Sequence, residues 1–305
     1  MRIIADTTDF ELLLPTAVTL GKFDGLHRGH KEVIKKIISL KSQGLLTAVF
    51  TFDPPPEVLF GTRDRKELTT REEKRKIFEK MGIDILIEYP LTMTTAAIAP
   101  SEFVEEILCK RMKMAYLAAG YDVSFGHKGA GDARLLEELA LQLDFELDIM
   151  DKVCEHGREI SSTYVREEVE QGHMEQVTEL LGEPYRIIGE IMHGAKLGRT
   201  IGMPTINILP QKEKLLPPKG VYYSTTTLGE REYRSITNIG NKPTVSNENQ
   251  IGVETYIYEF DKEVYGKTAV VKLLGFKRPE MRFAGLEELK QQMMEDIEAG
   301  RHYHN

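Results

Sequence analysis

Gly21-Lys22-Phe23-Asp24-Gly25-Leu26-His27-Arg28-Gly29-His30 is the stretch on which the reading of this chain turns. The run before it, Ala17-Val18-Thr19-Leu20, reads as a short buried strand. The run after it, Lys31 to Ile38, repeats apolar residues at helical spacing. Two histidines three apart, with a glycine between them, therefore sit where a strand turns into a helix. A helix start offers unpaired backbone N–H groups and the positive end of a dipole, which suit phosphate. Imidazoles three apart share one helix face, where both can donate to one polyphosphate. His27 and His30 are thus candidate phosphate contacts; the alternative is a polar turn carrying two solvated histidines.

Outward from this motif the first half alternates strand-like and helix-like segments. Leu45 to Phe52 is apolar and rich in strand formers. Thr70-Arg71-Glu72-Glu73 is a capping box opening a helix that stops at Gly82, and Ile83 to Glu88 reads as the next strand. Pro100-Ser101 opens another helix, Ala115 to Ala119 is a strand, Asp132 to Leu143 a helix, and Leu147 to Val153 extended. Such alternation predicts an α/β domain, a parallel sheet with helices on both faces. Ligands of such sheets bind beyond the carboxyl ends of the strands, where the histidine motif lies.

The pattern changes after Leu180-Leu181-Gly182-Glu183-Pro184, where Gly and Pro mark a helix stop. Short alternating runs follow: Arg186 to His193, Val221 to Thr227, Arg234 to Ile239, Val253 to Phe260 and Ala269 to Phe276, separated by Gly, Pro and Asn clusters. They predict a small antiparallel β-barrel. One amphipathic helix, from about Leu286 to Glu298, closes the chain. The expected domains are 1–184 and 185–305.

The 305 residues suffice for two ordinary domains, and 41% apolar with 29% charged residues is the balance of a globular protein. A net charge of −8 argues against nucleic acid or an anionic membrane as partner. No run approaches the roughly 20 apolar residues of a membrane span. The N-terminus lacks a signal-peptide pattern, and two cysteines, Cys109 and Cys154, make no disulfide framework or zinc site. These features point to the cytoplasm and leave the oligomeric state open.

Two further segments carry chemistry. In Ile160-Ser161-Ser162-Thr163-Tyr164-Val165-Arg166, three hydroxyls precede a helix with an arginine in its first turn. This is an anion site or an ordinary N-cap. Gly194-Ala195-Lys196-Leu197-Gly198-Arg199-Thr200-Ile201-Gly202-Met203-Pro204-Thr205-Ile206-Asn207 is a glycine-dense turn running into a strand. Its backbone amides can wrap phosphates, and Thr205 and Asn207, two apart on one strand face, offer oxygens of the kind Mg²⁺ accepts. The alternative is a hairpin with a basic tip. Glu254, inside the extended segment Gly252 to Tyr258, is either a solvent-facing strand residue or a working carboxylate.

HRGH together with ISSTYVR resembles the paired signatures of the nucleotidyltransferase superfamily. The order of blocks is similar to that of the bacterial bifunctional riboflavin kinase/FMN adenylyltransferases, the FAD synthetases. The matching blocks are GKFDGLHRGH, TFDPPPEVLF, GYDVSFGHKGAGD, ISSTYVR, GAKLGRTIGMPTINI, PPKGVYY, NIGNKPT, GVETYIYEFDKEVYGK and KRPEMRF, from about residue 17 to 290. The resemblance implies a Rossmann-like adenylyltransferase domain and a riboflavin kinase barrel. ATP would be co-substrate of both, with Mg²⁺, riboflavin, FMN and FAD as the remaining small molecules.

Carried over residue by residue, His27 and His30 would assist adenylyl transfer, with Gly21, Phe23, Asp24 and Gly29 around the ATP. Ser161, Ser162, Thr163 and Arg166 would hold its triphosphate from the other side. Asp53, Pro54, Pro56 and Asp122 would border the flavin. In the second domain Gly194, Lys196, Gly198 and Gly202 would bind ATP, Thr205 and Asn207 Mg²⁺, and Glu254 would be the base of the kinase. Arg278, Glu280 and Phe283 would border the isoalloxazine. Pro55 and Lys22 depart from the family pattern, which often has His and a small or neutral residue there. Other readings are a chain with one working module, the kinase, or a flavin-sensing or RNA-binding regulator on the same fold.

Overall fold

The structure, a computed structural model, describes residues 1–61, 66–193, 202–241 and 251–305. The chain forms two compact units, Met1–Ser162 and Thr163–Asn305.

In the first unit six strands form one sheet: β1 (Arg2–Ala5), β2 (Thr16–Leu20), β3 (Leu46–Asp53), β4 (Ile85–Pro90), β5 (Met114–Gly120) and β6 (Glu146–Met150). Their order is β1-β4-β3-β2-β5-β6 and every pairing is parallel. A short antiparallel pair, β7 (Cys154–Glu155) and β8 (Arg158–Glu159), follows them in the chain. Successive residues feed opposite faces. Val18, Ala48, Ile87 and Leu117 pack with Phe103, Leu108 and Leu136 on one side. Ala17, Val49, Leu86 and Ala118 pack with Ile34, Ile37, Ile77 and Phe78 on the other. A parallel sheet must be covered on both faces, so its strands read as continuous apolar runs. From β2 the chain steps outward to β3 on one side, while β5 lies on the other. The loop after β2 therefore opens at the switch point of the sheet. The capping box at Thr70 is formed, and Gly82 ends its helix, Arg71–Met81, in the left-handed region. The edge strand β1 was not foreseen; it is too short to show a period.

In the second unit β9 (Tyr185–Met192), β10 (Thr205–Ile208), β11 (Gly220–Leu228), β12 (Arg231–Asn241), β13 (Ile251–Ile257) and β14 (Thr268–Pro279) close a barrel in the order β10-β13-β12-β11-β14-β9, all antiparallel. Its interior holds a hydroxyl ladder of Ser224, Thr226, Ser235, Thr237 and Thr255, all fully buried. Each is paired with another at 2.8–2.9 Å. Buried hydroxyls satisfied in this way avoid the cost of an unmade hydrogen bond.

The helices Ser162–Gln171 and Met174–Leu181 precede the barrel. From Thr163 on they belong to the second compact unit, whereas the expected domain boundary lay at residue 184. Met174, Val177, Leu180 and Leu181 are buried, and their helix packs on β9 and β14. The terminal helix, Leu286–His304, runs past the expected end near Glu298. It continues through Gly300, a position that lies against the Tyr258 hydroxyl, where any Cβ would clash. Among the described residues no helix is long and apolar enough to cross a membrane.

Candidate active sites

The first site is built on the loop between β2 and the helix Arg28–Ser39. Phe23 and Leu26 have positive φ (50° and 47°) yet are almost wholly buried. That burial offsets the strain of a left-handed backbone in residues with side chains. Asp24 does not face the cleft. Its Oδ1 accepts from the backbone of Leu68 and Thr69 (2.8 and 3.1 Å), while its carbonyl accepts from Ser162 Oγ (2.8 Å). The loop is thus tied both to the segment before the capping box and to the ISST segment.

His27 is the N-cap, its Nδ1 accepting from the His30 backbone N–H at 3.4 Å. The proton of a neutral His27 then resides on Nε2, free to be donated. The two imidazoles stack with centroids 3.8 Å apart. Gly29 leaves room for the His27 ring, on which a Cβ there would press at 3.2 Å. Burial pushes His27 down to about 4, with Asp122 acting the other way. Burial, then the charges of His27 and Lys74, hold His30 well below the usual histidine value. Both are neutral at neutral pH. Thr19 Oγ1 and His30 Nδ1 are buried and have no hydrogen-bond partner among the described residues.

These groups line one end of a cleft of about 660 Å³. Gly21, Phe23, Gly29, Pro56, Asp122, Ser161 and Ser162 also line it. The other end is apolar: Phe52, Leu91, Ile98, Phe103 and Phe125. A polar end with histidine and hydroxyl donors, joined to an aromatic end, suits a molecule carrying phosphates and a flat ring system. Asp53 and Pro54 lie off the cleft. Asp53 is held by Arg71 at 2.8 Å, beside the buried Glu88 that also binds Arg71 and Arg75. Thr163 and Arg166 belong to the second unit. Sequence reasoning missed Thr19 and the aromatic wall; a buried strand threonine and scattered phenylalanines carry no local signature.

The second site lies on the outer face of the barrel. Thr205 and Asn207 share one side of β10, and Asn207 stands in register with Glu254 of β13. Thr205 Oγ1 donates to Glu254 Oε1 at 2.6 Å, so the hydroxyl lone pairs stay available. The hydroxyl, amide and carboxylate together form an oxygen-only donor set, which fits Mg²⁺. Gly202, at φ 78°, turns the chain into β10. Gly194, Lys196 and Gly198 lie outside the described residues. Glu280 rests on Gly240, and Phe283 is half-buried. Arg278 is engaged elsewhere: its guanidinium holds Asp296 of the terminal helix and the Pro279 carbonyl. It anchors that helix, a long-range partnership that residue spacing did not reveal.

Residues 10–164 match the FAD synthetase family model, and residues 181–304 the riboflavin kinase model. The chain belongs to the bifunctional riboflavin kinase/FMN adenylyltransferase family. Curated members from Listeria monocytogenes and Escherichia coli K12 are 37% and 34% identical over 295 and 289 residues. The alignments cover 95% and 94% of this chain and 93% and 92% of theirs. The Bacillus subtilis member is 33% identical over 301 residues. A solved structure from Streptococcus pneumoniae, described as a macrolide-efflux protein, has TM-score 0.84 and 25% identity over 98% of each chain. Family membership makes this chain a transferase with a kinase barrel and a nucleotidyltransferase α/β unit, the fold class expected from its sequence.

Proposed function

We propose that the barrel phosphorylates riboflavin to FMN and that the α/β unit adenylylates FMN to FAD, releasing pyrophosphate, with ATP as donor in both steps. The observation that carries this reading is Glu254, set opposite Asn207 and hydrogen-bonded to Thr205 on one strand face. A lone solvent-facing glutamate would not be framed by two further oxygen ligands.

In the kinase step Glu254 takes the proton of the ribityl 5′-hydroxyl as that oxygen attacks the γ-phosphorus and ADP leaves. Thr205 and Asn207 would hold Mg²⁺, which supplies charge neutralisation at the phosphates. In the adenylyl step a phosphate oxygen of FMN attacks the α-phosphorus of ATP. Neutral His27 and His30 donate N–H bonds to the phosphates, and Ser161 and Ser162 close the same end of the cleft. No nucleophilic side chain is required; alignment and fixed donors carry the catalysis. The aromatic end of the cleft, bordered by Pro56 and Asp122, takes the flavin. The functional boundary is placed at residue 184, between modules 1–184 and 185–305. The cytoplasm is the proposed compartment, on two cysteines that are both unpaired.

The test is incubation with riboflavin, ATP and Mg²⁺, with the flavins then separated. FMN and FAD should both form. In Glu254→Gln, FMN formation should fall by about 10²–10⁴-fold, the contribution of a positioned base. Conversion of supplied FMN to FAD should persist. Phosphorylation at the wild-type rate would return Glu254 to the role of a strand-face residue.

A further inference from the structure

Register places Asn207 of β10 on one side of Glu254 and Asn238 of β12 directly on the other. Opposed residues of an antiparallel pair project to the same face, with Cβ atoms about 4.5–5.5 Å apart. Gly240, two residues beyond Asn238, shares that face. A Cβ on Gly240 would collide with Glu280 Oε1 and would lie 3.2 Å from Asn238 Nδ2. The Glu280 carboxylate therefore rests on bare backbone with the Asn238 amide nitrogen beside it. Asn238 stands between two carboxylates, Glu254 and Glu280.

Ionised carboxylates only accept hydrogen bonds. An asparagine amide brings two donors without charge, so it can serve both carboxylates. The groups facing Glu254 across the strands are Thr205 and Asn207 on β10 and Asn238 on β12. Thr205 already occupies Oε1.

Building on the reading of Glu254 as base, we propose that Asn238 is a positioning residue of the kinase site. Its carboxamide spans Glu254 and Glu280, turning the first toward the acceptor hydroxyl and holding the second off it. Gly240 provides the floor that lets Glu280 come so close.

The experiment compares Asn238→Ala, Asn238→Asp and Glu254→Gln in the full-length chain. Asn238→Ala should lower kcat for riboflavin phosphorylation about ten- to a hundred-fold, the range for a hydrogen bond to a charged group, with KM for ATP within about twofold. Asn238→Asp keeps the shape but adds a third carboxylate. It should lose more in kcat, because it can no longer donate to either carboxylate. Wild-type kcat in both Asn238 variants, or a loss confined to KM for ATP, overturns the proposal. If those variants are unaffected while Glu254→Gln collapses, the base reading stands and this inference alone fails. If Glu254→Gln keeps the wild-type rate, the base reading fails and takes this inference with it.

Discussion

Arg278 Nε lies 3.0 Å from Oδ1 and 3.2 Å from Oδ2 of Asp296, and Lys277 Nζ lies 2.8 Å from Oδ1, so two cations at the end of β14 grip one carboxylate in the terminal helix. Asp296 is only 5% exposed. Next to it Ile297 packs with Val221, Ile236 and Tyr258, and the Tyr258 hydroxyl donates to the Ile297 carbonyl at 2.7 Å. The helix is thus pinned to the barrel by an ion cluster and an apolar patch side by side.

Asp296→Ala should destabilise the second unit by about 3 kcal/mol, the lower end for breaking a buried pair, because Arg278 keeps some contact with water. Burial raises the pKa of Asp296, and the hydrogen bonds from Arg278 and Lys277 more than offset it, leaving a net lowering. Its stabilisation is therefore fully present above the unfolded value of about 3.9 and is lost as pH falls through the lower folded value. Acid unfolding of the terminal helix, followed by amide exchange, should start at higher pH in Asp296→Asn. Identical acid profiles would show that the cluster contributes nothing.

His27 carries the opposite pH dependence to a histidine that gains an anionic partner on folding. Its folded pKa, about 4, lies below the unfolded value of about 6.5. Between those limits the unfolded chain binds more protons, so stability of the first unit should fall as pH drops from about 6.5 toward 4. Denaturant melts at several pH values should show this slope, reduced in His27→Gln. A flat wild-type profile would mean that His27 stays hydrated.

If the two histidines hold triphosphate, a bound polyanion must raise their pKa values. ATP binding should then take up protons, and affinity should rise as pH falls toward 5. Calorimetry in two buffers of different ionisation heat reads the uptake directly. His27→Ala or His30→Ala should lower FAD formation about ten- to a hundred-fold while FMN formation persists. Unaltered FAD formation in both variants would make the pair a solvated turn.

The two activities should separate on either side of residue 184, with the helices from Thr163 on serving the stability of the second unit. A fragment of residues 163–305 should phosphorylate riboflavin and make no FAD. One starting at residue 183 lacks the helix whose Met174, Val177, Leu180 and Leu181 are buried on the barrel side. At about 1.5–3 kcal/mol per buried side chain it should melt well below the longer fragment. A 163–305 fragment that made FAD from FMN would refute the assignment.

Much of this molecule was legible in its sequence because the deciding signals are local. Strand–helix alternation, the capping box at Thr70, the histidine pair at a helix start and Thr205 with Asn207 on one strand face all follow from periodicities of 3.6 and 2. These place the elements and the ends of the chain's two sites without any knowledge of packing. The tertiary structure alone decided where side chains spend their hydrogen bonds. Asp24 turned to a backbone 44 residues away, Arg278 to a carboxylate on another element, and Asn238 came to face Glu254 through a strand register. It also decided that both histidines are neutral, since desolvation is a property of everything packed around a group. Partner choice and burial depend on which distant segments meet, and no spacing along the chain encodes that.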